Sequence, residues 1–192
     1  MPVSRRTVIG SVLGGGLAAA VFPTTPATAD AYTVYDDIAW AESHYGIPNR
    51  LLLAMAFVES GRRWPDGGFH PWPWTLNIAG RGRYYDSRRQ ALADLHRHAA
   101  DNPLIDVGVM QVNIRWHLDH FGTYDRMIAP RDNIVYAGWY LADLAHRKGN
   151  WTRAVASYHA NKASARQNYL CLVMDRWSEL AGLRVGHETV CG

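Results

Sequence analysis

From residue 31 onward the chain alternates amphipathic runs with short segments broken by glycine and proline. Residues 31–45 intersperse Tyr35, Ile38, Ala39 and Ala41 with Asp36, Asp37 and Glu42, an amphipathic helical pattern that Gly46 ends. Pro48, tolerated in a helix's first turn, opens a second helix through an apolar run to about Ser60, with Gly61 as its stop. Residues 64–74 are too rich in proline and glycine to be helical. Residues 75–79 alternate, 80–82 can turn and 83–85 can return, which predicts a small β-hairpin. Asp86 or Ser87 caps a helix running through Ala100. An irregular stretch follows, and then helices over 130–146, 151–158 and 164–180. With no repeat or linker between them, residues 30–192 read as one mainly α domain with a small β-hairpin insert.

The first 29 residues follow a different pattern. Arg5 and Arg6 precede an apolar stretch from Val8 to Phe22, and Ala27-Thr28-Ala29 offers a small-x-small cleavage site. This is the pattern of an export signal, and the apolar run is shorter than the ~20 residues of a membrane span. Ser4-Arg5-Arg6-Thr7-Val8-Ile9 resembles a twin-arginine signal, but arginine pairs also occur in signals of the general route, so both stay open. The expected protein is periplasmic or exported, without a stable membrane span once the signal is cleaved.

Composition adds little until the signal is set aside. The formal charge of +3 is largely the signal's own arginines, and no basic run marks a nucleic-acid footprint. Eight tryptophans and ten tyrosines against four phenylalanines give many rings with a polar handle, common in carbohydrate clefts and in ordinary cores. The two cysteines, Cys171 and Cys191, exclude a four-cysteine zinc site. In an oxidising compartment a disulfide between them is expected, free thiols being the alternative.

One carboxylate stands out. Of the four glutamates, Glu42, Glu179 and Glu188 have polar or terminal surroundings, whereas Glu59 ends the run Leu51-Leu52-Leu53-Ala54-Met55-Ala56-Phe57-Val58. Met55, Ala56 and Leu52 share its helix face. Burial and the negative end of the helix both favour the protonated form. A carboxylic acid held neutral near pH 7 suits general-acid cleavage of a glycosidic bond; a surface glutamate at a frayed helix end is the plainer alternative.

Three motifs then occur in order. Glu59-Ser60 closes an apolar helix, and Asp106-Val107-Gly108-Val109-Met110-Gln111-Val112-Asn113 follows downstream. Ala154-Val155-Ala156-Ser157-Tyr158-His159 comes last. Together they resemble the Glu-Ser, Gly-Leu-Met-Gln-Ile-Asn and Ala-x-x-x-Tyr-Asn motifs of soluble lytic transglycosylases, relatives of goose-type lysozyme, over roughly residues 35–180. The resemblance implies a lysozyme-like α(+β) fold acting on peptidoglycan glycan strands. Glu59 is then the catalytic acid between N-acetylmuramic acid and N-acetylglucosamine, forming 1,6-anhydro ends and needing no metal or cofactor. It also implies substrate contacts from Ser60, Asp106, Met110, Gln111, Asn113, Tyr158 and His159. Gly108 would bring backbone close to a sugar, Met110 would offer a flat polarizable surface, and Gln111 and Asn113 would pair with hydroxyl and N-acetyl groups. Tyr158 is expected to orient Glu59, or else to be a core tyrosine.

Two departures from the family pattern are visible. His159 replaces its asparagine, and a long segment carrying the tryptophans and the hairpin separates Glu59 from Gly108. Asp106, two positions before the glycine, is shared with secretion- and conjugation-associated members, which implies a type IV secretion or conjugation apparatus as partner. It either assists Glu59 or the substrate, or simply forms a turn. Two other functions stay open: a hydrolytic muramidase on the same fold, and a non-catalytic peptidoglycan-binding component of an envelope-spanning machine. His96, His98, His117 and His120, with Asp94 and Asp119, lack the i, i+4 spacing of a zinc helix, so no metal centre is expected.

Overall fold

A computed structural model of the protein describes residues 28–64, 67–159 and 163–182. The expected export signal therefore lies, but for its last two positions, outside the described residues, as does Cys191; Cys171 is disulfide-bonded. The architecture is mainly α, with eight helices and a small antiparallel sheet among the described residues. None of the described helices is long and apolar enough to cross a membrane.

Helix α1 (Thr28–Tyr45) is followed by helix α2 (Leu51–Ser60), the most apolar helix of the fold. Pro48 stands before α2 rather than in its first turn, because Arg50 takes a left-handed φ of 65° and separates the two. α2 has no cap from its own Arg50 side chain. The Glu42 carboxylate on α1 fills that role, accepting N–H bonds from Arg50 at 2.8 Å and Leu53 at 3.0 Å. Glu42 is therefore buried and structural, not in the polar surroundings its sequence neighbours suggest.

After α2 the chain is extended. Strand β1 (Gly61–Arg63), just before the segment that reads only as non-helical, pairs with strand β2 (Phe69–Pro71) inside it. Ring contacts brace the pair: the Arg62 guanidinium lies 4.6 Å from the Trp72 ring centre, and Trp64 meets Trp72 edge-on. The predicted hairpin is β3 (Thr75–Ile78) and β4 (Arg81–Tyr84). Its turn falls at Ala79 and Gly80, φ 53° and 77°, one residue earlier than expected. Ser87 caps α3 (Arg88–Ala99), accepting from the Gln90 N–H.

The stretch read as irregular holds four further elements. β5 (Ile105–Val107) and β6 (Val112–Asn113) extend the hairpin into a sheet of order β4-β3-β5-β6. Helix α4 (Ile114–Phe121) starts at the Asn113 cap and ends at Gly122, and helix α5 (Tyr124–Ile128) starts at the Thr123 cap. Both helices are too short for periodicity to declare them; caps and buried ends at Ile114, Phe121, Met127 and Ile128 hold them instead.

Helices α6 (Pro130–Lys148), α7 (Trp151–His159) and α8 (Ala163–Ala181) complete the fold. α6 runs through the middle, with α1 and α7 against it, while α8 packs on α2 and α7. The core of Leu51, Leu52, Met55, Met110, Ile134 and Leu141 lies where these helices meet the sheet.

Candidate active site

A cleft of about 580 Å³ opens where the end of α2, strands β3, β5 and β6, and helices α4, α6 and α7 converge. Among its lining residues are Glu59, Asp106, Gln111, Asn113, Tyr158 and His159. Residues separated by a hundred positions in the chain thus share one wall of solvent.

The loop between β5 and β6 is fixed from behind by Asn133 on α6, which is fully buried. Its amide donates to the Val107 and Met127 carbonyls, both at 3.0 Å, and its oxygen accepts from the Met110 N–H at 2.9 Å. Gly108 has φ 81°, and a Cβ there would come within 2.8 Å of the Asn133 side chain. The glycine therefore admits Asn133, not a sugar. Gln111, at a left-handed φ of 46°, closes the turn by donating from Nε2 to the Gly108 carbonyl at 2.8 Å.

Glu59 arrives from the opposite side on the last turn of α2, a turn fixed in place by the apolar face beneath it. Its Oε1 is buried and has no hydrogen-bond partner in the protein. Burial pushes its pKa up to about 8, and the nearby charge of Asp106 adds to that shift. The Tyr169 hydroxyl on α8, close by, opposes it. That hydroxyl is also buried and lacks a regular hydrogen bond, so acid and phenol face each other without a settled partner. At neutral pH Glu59 accordingly holds its proton.

Asp106 lies on β5 rather than in a turn. Its Oδ1 accepts from Asn113 at 2.7 Å and its Oδ2 from Asn77 at 3.1 Å, so both oxygens are held in the cleft wall. Burial raises its pKa, while the two amides and the charge of His159 pull it down. His159 stacks on Tyr169 with ring centres 4.6 Å apart. Its own pKa is lowered by burial, against the pull of Asp106.

Several expected contacts are different in the structure. Met110 is fully buried, so its side chain offers no surface to a sugar. Ser60 is fully buried as well, and its hydroxyl donates to the Ala56 carbonyl. Asn113 reaches the cleft, but one end of its amide holds Asp106 and the other caps α4. The Tyr158 hydroxyl donates to the Met110 carbonyl at 3.0 Å rather than to Glu59, although it lies near enough for the Glu59 charge to raise its pKa. Nothing in the local sequence marks Asn77, Tyr140, Trp116 or Tyr169 as belonging to the site. His117 and His120 both meet the Tyr136 ring, and among the described residues no group of three or more His, Cys, Asp or Glu could hold a metal ion.

Residues 89–169 match the family model of the transglycosylase SLT domain. No curated protein matches the chain. No solved structure matches it either. The matched span includes Asp106, Gln111, Tyr158 and Tyr169 but begins after Glu59, which joins the site through the fold. That match supports a lytic transglycosylase-type, peptidoglycan-acting family for this part of the chain.

Proposed function

We propose that the protein is an active lytic transglycosylase, exported by a cleaved N-terminal signal, that cuts the β-1,4 bond between N-acetylmuramic acid and N-acetylglucosamine. The observation that carries this reading is Glu59: a neutral carboxyl group in a cleft wall, with one oxygen unpartnered. Glu59 gives its proton to the bridging oxygen as the bond to C1 of the muramoyl residue breaks. The N-acetyl group, or the carboxylate of Asp106, stabilises the positive charge that develops at C1. The muramoyl 6-hydroxyl oxygen then bonds to C1, and its proton returns to Glu59. The product is a 1,6-anhydro ring, and Glu59 is again protonated.

Asp106 also favours a second reading. A carboxylate in the same cleft as the acid is the arrangement by which a hydrolytic muramidase operates. Asp106 is likewise the feature that supports service to a secretion or conjugation apparatus. Mass spectrometry of purified sacculi digested by the protein separates the readings. Anhydro-muramoyl ends support the transglycosylase, reducing ends the muramidase, and unchanged sacculi a binding component.

A further inference from the structure

Helices α4 and α6 carry a set of rings that the cleavage chemistry does not use. On α6, Tyr136, Trp139 and Tyr140 share one face at i, i+3 and i+4 spacing; on α4, His117 and His120 face them. The rings form an unbroken series. Tyr158, beside Glu59, lies 5.7 Å from Tyr140, and Tyr140 lies 4.9 Å from His117 and 6.2 Å from Tyr136. Tyr136 lies 5.5 Å from Trp139, which also meets His120 at 5.6 Å. The series begins inside the cleft, of which Tyr158, Tyr140, His117 and Trp116 are walls, and ends on the open surface at Trp139.

Two exposed tryptophans stand along it, Trp116 in the cleft wall and Trp139 at the outer end. Trp116 is 65% exposed and Trp139 42%, a large apolar presentation for a small domain. The rings are held rather than loose. Tyr136 and His117 share a 2.7 Å hydrogen bond, burial keeps His117 towards its neutral form, and the Arg115 guanidinium covers Trp116 at 4.9 Å. Fixed ring faces edged by hydroxyl, imidazole and guanidinium groups suit a ligand that is apolar on its flat side and polar at its rim. A pyranose presents that surface.

We propose that the aromatic series from Tyr140 to Trp139 is an outer binding track for the glycan strand, holding N-acetylated sugars beyond those that fill the cleft at Glu59. Continuity with the cleft selects the occupant: a strand leaving past Tyr140 meets these rings next. The track rests on the reading of the cleft as a glycan site, and it makes affinity depend on strand length.

Binding tests it without catalysis. In the full chain carrying Glu59→Gln, peptide-free peptidoglycan strands fractionated by length are titrated by calorimetry. Adding Trp139→Ala, a surface change checked by melting temperature, should weaken long strands about tenfold and leave the shortest bound fragments within about twofold. Trp139→Tyr, which keeps a ring, should restore most of the loss. Equal affinities with and without Trp139, at every length, would overturn the track and give the exposed rings to a protein partner. A loss shared equally by short strands would overturn it too, as a general disturbance of the cleft. Failure of the parent chain to cut sacculi would instead sink the catalytic reading, because strand binding is read in a variant that need not turn over.

Discussion

Glu42 and Glu59 stand at opposite ends of α2, and both are pushed towards their neutral forms by burial. At the N-terminal end, Glu42 meets backbone N–H groups from Arg50 and Leu53, and the charge of Arg50 also favours its ionised form. The positive end of the helix dipole helps further. At the C-terminal end, Glu59 meets the negative end of the dipole, the charge of Asp106 and a tyrosine that does not bond it regularly. Burial alone therefore does not decide whether a carboxyl group can offer its proton. The difference lies in whether the fold supplies donors to the carboxylate, and at Glu59 it leaves the acid's proton available to a ligand.

Substitution should separate the two most sharply in rate. Glu59→Gln keeps the shape but has no acidic proton, so turnover on sacculi should fall by roughly 10²–10⁴. Glu42→Gln, measured per folded molecule, should leave turnover near that of the parent chain. A Glu42 variant as inactive as the Glu59 variant would break the comparison.

Stability should differ in sign. Glu42→Gln replaces an acceptor oxygen with an NH₂ group and strands a backbone donor, costing about 1–3 kcal/mol in urea unfolding. Burial pushes the folded pKa of Glu59 up to about 8 from an ordinary glutamate value of 4.5, so the native state holds its proton more tightly than the unfolded chain. Stability is then fully present below about pH 4.5 and is lost as pH rises towards 8, a loss on the order of a few kcal/mol. Glu59→Gln should remove that slope and be the more stable protein at pH 8. Parallel pH–stability curves would contradict the assignment.

The neighbours of Glu59 give smaller effects in opposite directions. Asp106 raises its pKa, so Asp106→Asn should move the alkaline limb of the pH–rate profile towards acid. Tyr169 lowers it, so Tyr169→Phe should move the same limb towards base. Shifts of the same sign in both variants would mean that the limb does not report Glu59.

Part of this contrast was legible in the sequence. An apolar helix ending in Glu59 announces itself by periodicity, and Ser87, Gly46 and Gly149 punctuate helices as their chemistry requires. Periodicity does not say which solvent-free face looks into a cleft and which into a core. Met110 and Ser60 sit in the motifs yet turn inward, whereas Asn133, in no motif, holds the loop that carries them. Glu42 reads as a surface acid because its donors come from residues eight and eleven positions later, across a turn that holds the left-handed residues Gly46 and Arg50. Tyr169 belongs to the site only because α8 packs back on α2, a contact between distant segments that no local pattern carries.

The protonation of Glu59 can be read directly. The chain has four glutamates, so carboxyl-carbon NMR with glutamate labelled at its side-chain carboxyl follows them together across a pH titration. One resonance should titrate near pH 8 and be missing from the Glu59→Gln protein. If the resonance lost in that variant instead titrates between about pH 4 and 5, as an ordinary exposed glutamate does, Glu59 is ionised at neutral pH and is not the acid of this site.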